Sequence, residues 1–273
     1  MLPKLHFTHS YRRILMDQTI SVPPTYKMKH DFDRDGYLSI KPLFNAMKVA
    51  EINRELDRFI KEVVPNMSSK EVYLEDKSDP TSIKQLMNMN HHDGYICALA
   101  ENSVLREIAT KVLGEDVIPT NVEYFNKPPG GKATPAHQDG YYFHLTPSKA
   151  VTCWVSLEEV DHENGCLHYI RQSHLEKGFR EHASSGVLGF SQGLSEFSQD
   201  EDKQNTVAHP CQPGTLLMHD SRTIHWAGPN LSKTRSRRAL GFIYFAKSAK
   251  HDKAASEAYQ VKLATELRAA NKI

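Results

Sequence analysis

The sequence lacks any long apolar run and carries almost no net charge. No stretch of about 18 consecutive apolar residues occurs in its 273 residues, so no segment predicts a transmembrane helix. The formal net charge is +1 and the pI is near 7.8, which gives no reason to expect nucleic acid or a membrane surface as partner. These properties leave the oligomeric state open.

Cysteine is also scarce, and a signal-peptide core is missing. The four cysteines, Cys97, Cys153, Cys166 and Cys211, lie far apart without a C-x-x-C pair. Three of them sit in apolar surroundings typical of small core residues. A reducing compartment, the cytoplasm, is therefore expected. Residues 1–16 contain Lys4, Arg12 and Arg13 but no acid, which keeps organelle targeting as an alternative.

Helical patterns occupy the first part of the chain and its end. Residues 1–29 show no period and predict an irregular arm. Residues 30–115 predict a helical part, with apolar residues at helical spacing in 43–64 and about 94–113. Residues 250–272 predict a C-terminal amphipathic helix.

From residue 118 to 246 the pattern changes to short β-rich segments separated by turn residues. Their regular spacing is typical of a barrel or a jelly roll. A polar insertion, 175–205, predicts a mobile loop or lid. The predicted strands are Thr120–Phe125, Ala136–Phe143, Val151–Leu157, Cys166–Ile170, Thr206–His209, Thr215–His219 and Ala239–Ala246.

One His-x-Asp triplet lies inside this β-region. If its segment is extended, His137 and Asp139 point to the same face of one strand end. An imidazole and a carboxylate side by side can form two-thirds of a 2-His-1-carboxylate facial triad, the arrangement typical of non-haem Fe(II) oxygenases. With 15 histidines and 33 acidic residues in the chain, such a pair also arises by chance.

The third ligand of such a triad has to come from a distant segment. His225 follows the predicted strand Thr215–His219 and is the leading candidate, with four rivals on spacing alone: His168, His174, His209 and His219. A basic cluster, Lys233–Arg238, comes next. An arginine in it could bind the distal carboxylate of a 2-oxo acid through two parallel hydrogen bonds, although a solvated basic turn explains most of the cluster.

Two other motifs resemble metal sites but lack necessary parts. The segment Asp31–Gly36 matches the start of an EF-hand loop, yet Pro42 stands where the bidentate carboxylate belongs, so we expect a solvated turn. A second His-x-Asp triplet, His91-His92-Asp93, lies between helical segments. We predict that it forms a structural turn and binds no metal.

Eight motifs together resemble the phytanoyl-CoA dioxygenase family. The resemblance covers about residues 30–246 and implies a mainly β fold with flanking helices, built on a double-stranded β-helix (a cupin-like jelly roll). It also implies Fe(II), 2-oxoglutarate and O2. We accordingly expect one domain over residues 1–273. The motifs are Asp33–Leu38, Asn126–Gly130, Thr134–Phe143, Cys153-Trp154, Asn164–Leu167, Ser173-His174, Pro213–Thr215 and His225–Asn230.

The resemblance assigns the iron ligands to His137, Asp139 and His225. Related halogenases have a small residue at the carboxylate position, so Asp139 implies hydroxylation. The family's 2-oxoglutarate arginine aligns with Arg237 if one residue has been inserted; the neighbours at 235 and 238 are alternatives.

Further residues are assigned more loosely. Trp154 and Lys84 resemble residues of the cosubstrate pocket, although a core tryptophan and a surface lysine are equally simple interpretations. Glu123, Asn126 and Tyr141 lie near the metal motif and could contact substrate. An aromatic beside a charged group suits a small polar or zwitterionic metabolite better than an acyl-CoA. Two alternatives remain: a cupin-like metalloenzyme without 2-oxoglutarate, and a non-catalytic β-domain that binds a partner.

Overall fold

The computed structural model describes residues 23–76, 78–187, 190–197 and 200–269. Helices precede and follow a β-rich core, as the sequence predicts. The α-helices are α1 (Thr25–Asp35), α2 (Ala46–Glu62), α3 (Gly94–Glu101), α4 (Val104–Leu113), α5 (Gly140–Phe143), α6 (Asp200–Asn205) and α7 (Lys253–Ala269). None of the helices within these ranges is long and apolar enough to cross a membrane.

Fifteen strands lie within the described ranges. They are β1 (Tyr37–Ile40), β2 (Val72–Leu74), β3 (Ile83–Leu86), β4 (Val117–Asn126), β5 (Thr134–His137), β6 (Leu145–Thr146), β7 (Ala150–Ser156), β8 (Leu167–Ile170), β9 (His182–Val187), β10 (Phe190–Leu194), β11 (Thr206–His209), β12 (Leu216–Asp220), β13 (His225–Ala227), β14 (Arg238–Ala246) and β15 (Lys250–His251).

Two antiparallel sheets form the core of the fold. The larger has the strand order β1-β12-β7-β14-β4-β3-β2, and the smaller has the order β11-β8-β13-β5. Apart from β2, β3 and β4, neighbours in each sheet are distant in sequence, which is the connectivity of a jelly roll. The expected double-stranded β-helix is confirmed.

Strand β7 shows how the layers pack. Every residue of Ala150–Ser156 is buried, because the strand is covered on both faces. Val151, Cys153 and Val155 join the cluster formed with the helices, whereas Trp154 joins a cluster with Leu167, Tyr169 and Ala227 of the smaller sheet. Alternation along one strand thus separates a helix-facing side from an inner side, on which the cavity lies.

Gly36 connects the N-terminal helix to the core. It ends α1 in the left-handed region at φ 81°, where a side chain is strained. A Cβ atom there would also collide with His174 and Thr223. The Thr223 hydroxyl donates to the Gly36 carbonyl at 2.7 Å, so this helix end is fixed against the loop before His225. The solvated turn expected for the EF-hand-like segment Asp31–Gly36 needs correction, because this segment is the last turn of α1 and its Gly36 cap. Its acids form ion pairs with neighbouring side chains such as Lys29 and Arg34.

Several sequence expectations need correction. The predicted arm 1–29 overlaps α1, whose first turn begins at Thr25; residues 1–22 lie outside the described residues. The strand predicted for Ala136–Phe143 ends at His137 and gives way to the helical turn α5. The insertion 175–205 is more than a loop, because its described residues form the β9–β10 hairpin and α6. The C-terminal helix is confirmed over Lys253–Ala269, and residues 270–273 lie outside the described range.

Candidate active site

Strand pairing brings a distant histidine to the His-x-Asp triplet. His137 is the last residue of β5, and β13 pairs with β5 so that His225 lies directly opposite it. Asp139 follows in helical backbone geometry (φ −56°, ψ −39°), so the extended segment expected from sequence is not what positions it. Its Oδ1 lies 3.4 Å from His137 Nε2 and 3.6 Å from His225 Nε2. One ligand atom from each residue lies within 4.8 Å of the others.

Backbone hydrogen bonds fix the tautomers of both histidines. His137 Nδ1 lies 2.8 Å from the Pro135 carbonyl oxygen, and His225 Nδ1 lies 3.0 Å from the Thr223 carbonyl oxygen. A carbonyl oxygen can only accept, so each Nδ1 carries a proton and each Nε2 is the nitrogen left for a metal. Two imidazoles and one carboxylate therefore point at the same small volume, as metal-binding histidines with an outer-shell carbonyl do.

The second oxygen of Asp139 is already bonded. Thr152 Oγ1 donates to Oδ2 at 2.6 Å, and His219 Nε2 lies 3.1 Å from the same atom. The Tyr169 hydroxyl lies 3.0 Å from His219 Nδ1. His219, a rival candidate for the third ligand on spacing alone, thus contacts Oδ2 of Asp139, whereas the Nε2 atoms of His137 and His225 lie near Oδ1. Thr152 and Tyr169 were not anticipated, because a threonine or tyrosine in an apolar strand carries no sequence signal of this role.

Asp139 remains ionised despite its burial. Burial alone would raise its pKa, but His225, His137 and His219 outweigh that effect and hold the pKa well below its usual range. Burial lowers the pKa of His225 far below its usual value, and the nearby His219 and His137 act in the same direction. The donor set therefore presents an ionised carboxylate at neutral pH.

A cavity of about 1080 Å³ opens onto these three side chains. Among the other residues predicted from sequence, those that line it are Lys84, Glu123, Asn126, Trp154 and Arg237. Tyr142 lines it in place of Tyr141, whose ring stacks on His182 at 4.1 Å between centroids. The chain is helical there, so strand alternation does not decide which of the two tyrosines faces the cavity.

Two buried basic side chains, Arg237 and Lys127, line the cavity. Arg237 is only 4% exposed, its Nε has no hydrogen-bond partner among the described residues, and its guanidinium lies 5.4 Å from the centre of the Trp154 ring. Burial lowers its pKa to about 10. Lys127 donates to the Gly228 carbonyl at 2.5 Å. Burial, together with the charges of Arg237 and Lys84, lowers the Lys127 pKa to about 6. Such a group is suited to bind an anion.

The neighbouring arginines point elsewhere. Arg235 pairs with Asp161 at 2.7 Å and with Glu163, beside the loop after β7. Arg238 pairs with Asp57 at 2.6 Å. Of the three candidates, Arg237 lines the cavity. Lys127 was overlooked as a site residue, although it belongs to the quoted Asn126–Gly130 motif.

The triplet His91-His92-Asp93 has a structural role. Asp93 caps α3 by accepting from the backbone N–H groups of Tyr95 and Ile96, and it pairs with Arg58 at 2.7 Å. His92 contacts Glu71. The His-x-Asp spacing therefore serves a helix N-cap here.

Comparison with known proteins agrees with this geometry. The model of the phytanoyl-CoA dioxygenase (PhyH) family matches residues 32–239. The chain belongs to the phytanoyl-CoA dioxygenase family. A "Probable alpha-ketoglutarate-dependent hypophosphite dioxygenase" of Stutzerimonas stutzeri is 27% identical over 210 residues, which cover 75% of this chain and 73% of that protein. The peroxisomal phytanoyl-CoA dioxygenase of Bos taurus is 26% identical over 220 residues, 74% of this chain but only 63% of that protein.

A solved structure shares the fold. The epimerase SnoN, determined in complex with Fe3+, alpha ketoglutarate and nogalamycin RO, gives a TM-score of 0.68 at 21% identity, covering 83% of this chain and 85% of SnoN. As a member of this family, the chain is a dioxygenase that uses Fe(II), 2-oxoglutarate and O2. The two alternatives, an enzyme without 2-oxoglutarate and a non-catalytic binding domain, are thereby set aside.

Proposed function

We propose that His137, Asp139 and His225 hold the Fe(II), and that Arg237 and Lys127 bind 2-oxoglutarate beside it. The observation that carries the proposal is the presence, in one cavity, of a converging imidazole–carboxylate donor set and a buried guanidinium whose Nε has no partner among the described residues. Two imidazoles and one carboxylate fit Fe(II), because this donor set suits a divalent metal of intermediate softness.

The bound iron and 2-oxoglutarate supply the oxidising chemistry, and the protein supplies binding, orientation and a dry site. Arg237 would bind the distal carboxylate of the cosubstrate with its planar guanidinium, a charge-assisted contact strengthened by burial. Trp154 holds that guanidinium from one face, and Lys127 adds a second donor nearby. Thr152 and His219 keep Asp139 oriented by occupying its Oδ2, which leaves Oδ1 towards the two imidazoles.

The surroundings of Glu123 favour a small substrate that carries a cationic or hydrogen-bond-donating group. Gln85 Nε2 and Asn121 Nδ2 donate to its carboxylate at 2.9 and 2.6 Å. No cationic side chain pairs with it in the part of the chain that the structure describes. Burial raises its pKa to about 7, and the charge of Asp139 adds to the effect. An ammonium group bound there would restore the ionised form and be attracted in turn.

The walls around Glu123 also favour such a substrate. The aromatic side chains of Tyr142, Phe143 and Phe245 line the same cavity, and aromatic faces attract cations. An acyl-CoA would need several cations for its phosphates. Arg235 and Arg238 of the basic cluster are paired with acids instead. We therefore propose hydroxylation of a small polar or zwitterionic metabolite, with no need for nucleic acid or a membrane as partner.

The test is 2-oxoglutarate-dependent succinate release, screened with amines, betaines, amino acids and acyl-CoA compounds in the presence of Fe(II). We expect release to rise with a small cationic or zwitterionic compound. We expect Glu123→Gln, a near-isosteric change, to raise KM for that compound while leaving 2-oxoglutarate binding intact. An acyl-CoA as the best substrate, or an unchanged KM in Glu123→Gln, would contradict the substrate class. Full turnover in His137→Ala would contradict the iron site.

A further inference from the structure

A second group of metal-binding side chains lies outside the proposed iron site. His162, Cys166 and His168 offer one ligand atom each, and these atoms lie within 4.8 Å of one another. The three residues belong to one short segment, the loop after β7 and the start of β8, with the spacing His-x3-Cys-x-His. We propose that this cluster, the His162–Cys166–His168 site, binds a borderline-soft divalent cation such as Zn²⁺.

His168 points away from the proposed iron ligands because of strand alternation. On β8, the Tyr169 ring lies towards His219 and His225, at centroid distances of 5.3 and 6.1 Å. His168 is the preceding residue, so its side chain points to the other face of the smaller sheet. There its ring stacks on Trp226 at 5.1 Å, with an angle of 13° between the planes. A metal in this second site would therefore not share a ligand with the first.

His168 is prepared for ligation in the same way as the two proposed iron-binding histidines. Its Nδ1 lies 3.1 Å from the backbone carbonyl oxygen of Cys166, two residues earlier, just as His137 and His225 contact carbonyls two residues earlier. The carbonyl accepts, so Nδ1 carries the proton and Nε2 keeps its lone pair. Burial also lowers the pKa of His168, which favours the neutral, metal-binding form.

Cys166 supplies a free thiol with a neighbour already close. Its Sγ lies 3.7 Å from His162 Nδ1, and it is not part of a disulfide. Burial raises the pKa of the thiol, so it is protonated in the metal-free protein, while a backbone hydrogen bond from His209 favours the thiolate. On metal binding the S–H proton would leave to solvent as the metal–sulfur bond forms. His162 is exposed and can close over the ion.

The ligand set determines which metals fit. One thiolate and two imidazoles suit a borderline-soft ion and disfavour Mg²⁺ or Ca²⁺, which prefer oxygen ligands. Three protein ligands leave a fourth position open to water, the pattern of a reactive rather than a closed structural zinc site. The iron site holds no sulfur, so a sulfur-specific signal reports on the second site alone.

The test is a titration of the full-length, Fe(II)- and 2-oxoglutarate-loaded enzyme with Co²⁺ under anaerobic conditions, followed by displacement with Zn²⁺. We expect a thiolate-to-cobalt charge-transfer band that saturates at one equivalent. Cys166→Ser should remove the band. His162→Ala should weaken Co²⁺ binding by roughly 100-fold, since even outer-shell partners of a metal are worth roughly 10–100-fold. The matched controls Cys97→Ser and His91→Ala should keep both the band and the affinity.

His162→Ala keeps the test decisive if Cys166→Ser fails to fold, because an exposed side chain can be removed without disturbing the core. No saturable band, a band that survives Cys166→Ser, or unchanged affinity in His162→Ala would overturn the proposal. The band should also persist in Asp139→Ala, which separates this site from the iron site; its loss there would overturn the proposal as well.

Discussion

The triplets His91-His92-Asp93 and His137-Gln138-Asp139 share a spacing and differ in everything around them. The first lies before α3, where its carboxylate caps a helix and pairs with Arg58. The second ends a strand of the smaller sheet, where β13 places His225 opposite His137. A His-x-Asp pair can therefore form part of a metal site only where the fold places a third ligand beside it.

The largest expected effect distinguishes the two triplets by activity. Asp139→Asn removes the carboxylate charge while keeping its shape, so 2-oxoglutarate-dependent succinate release should fall to background. His91→Ala, at the start of the other triplet, should keep wild-type turnover. Measurable turnover in Asp139→Asn, or its loss in a folded His91→Ala protein, would break the comparison.

The next effect concerns the arginines that follow His225. Arg237→Lys keeps the charge but loses the planar guanidinium, so we expect the Kd for 2-oxoglutarate to rise roughly 10–100-fold, the worth of one or two charge-assisted hydrogen bonds. Arg238→Lys should stay within about twofold, because that side chain pairs with Asp57 outside the cavity. Calorimetry on the Mn²⁺ form measures both. An equal rise in the Kd for 2-oxoglutarate in the two variants would show that Arg237 and Arg238 do not differ in cosubstrate binding.

A smaller effect follows from Lys127, whose pKa is lowered to about 6 by burial and by neighbouring cations. Above pH 6 the free protein holds this amine mostly neutral, and a bound carboxylate favours its protonated form. Binding of 2-oxoglutarate should therefore take up a proton, and affinity should fall by up to about tenfold per pH unit as pH rises above 6.

Proton uptake can be measured by titrating 2-oxoglutarate at pH 7.5 in buffers with different ionisation enthalpies. Lys127→Met is the control, and it should lose the uptake. Uptake that persists in Lys127→Met would assign the proton to another group, of which Glu123, with a pKa raised to about 7, is the first candidate.

The smallest expected effect concerns the structural role of the triplet His91-His92-Asp93 in stability. Asp93→Ala removes the N-cap of α3 and an ion pair with Arg58, so it should lower the free energy of unfolding by roughly 1–2 kcal/mol. Urea denaturation measures the change, and kcat should be retained. A loss of kcat with unchanged stability would mean that this triplet takes part in the chemistry after all.

The architecture could be predicted from the sequence because the periodic patterns of strands and helices are local properties. Helices before and after a β-core, a helix that ends near residue 113 and the strand Thr206–His209 all follow from nearby residues. The helical turn at Gly140–Phe143 did not, since its aromatic residues have high strand propensity and tertiary contacts decide otherwise. The Tyr142 hydroxyl, for example, donates to the Gln192 carbonyl of the β9–β10 hairpin.

The site was harder to predict because its parts meet only in three dimensions. Spacing left five histidines as candidates for the third ligand, and it was the resemblance to the family that selected His225. The contacts of Thr152 and His219 with Asp139 join residues on three different segments, and no local pattern marks them. The role of Lys127 was equally hard to predict. Its pKa is lowered in part by the charge of Arg237, and the two residues are neighbours only because their backbones hydrogen-bond to each other in the folded chain.

We propose that Fe(II) and 2-oxoglutarate meet at His137, Asp139 and His225. The most direct test of this placement is an anaerobic titration of the Fe(II)-loaded enzyme with 2-oxoglutarate, which follows the iron-to-cosubstrate charge-transfer band. We expect a saturable band in the wild type and in His91→Ala, and none in His225→Ala. A band of full intensity in His225→Ala would contradict the placement of the iron.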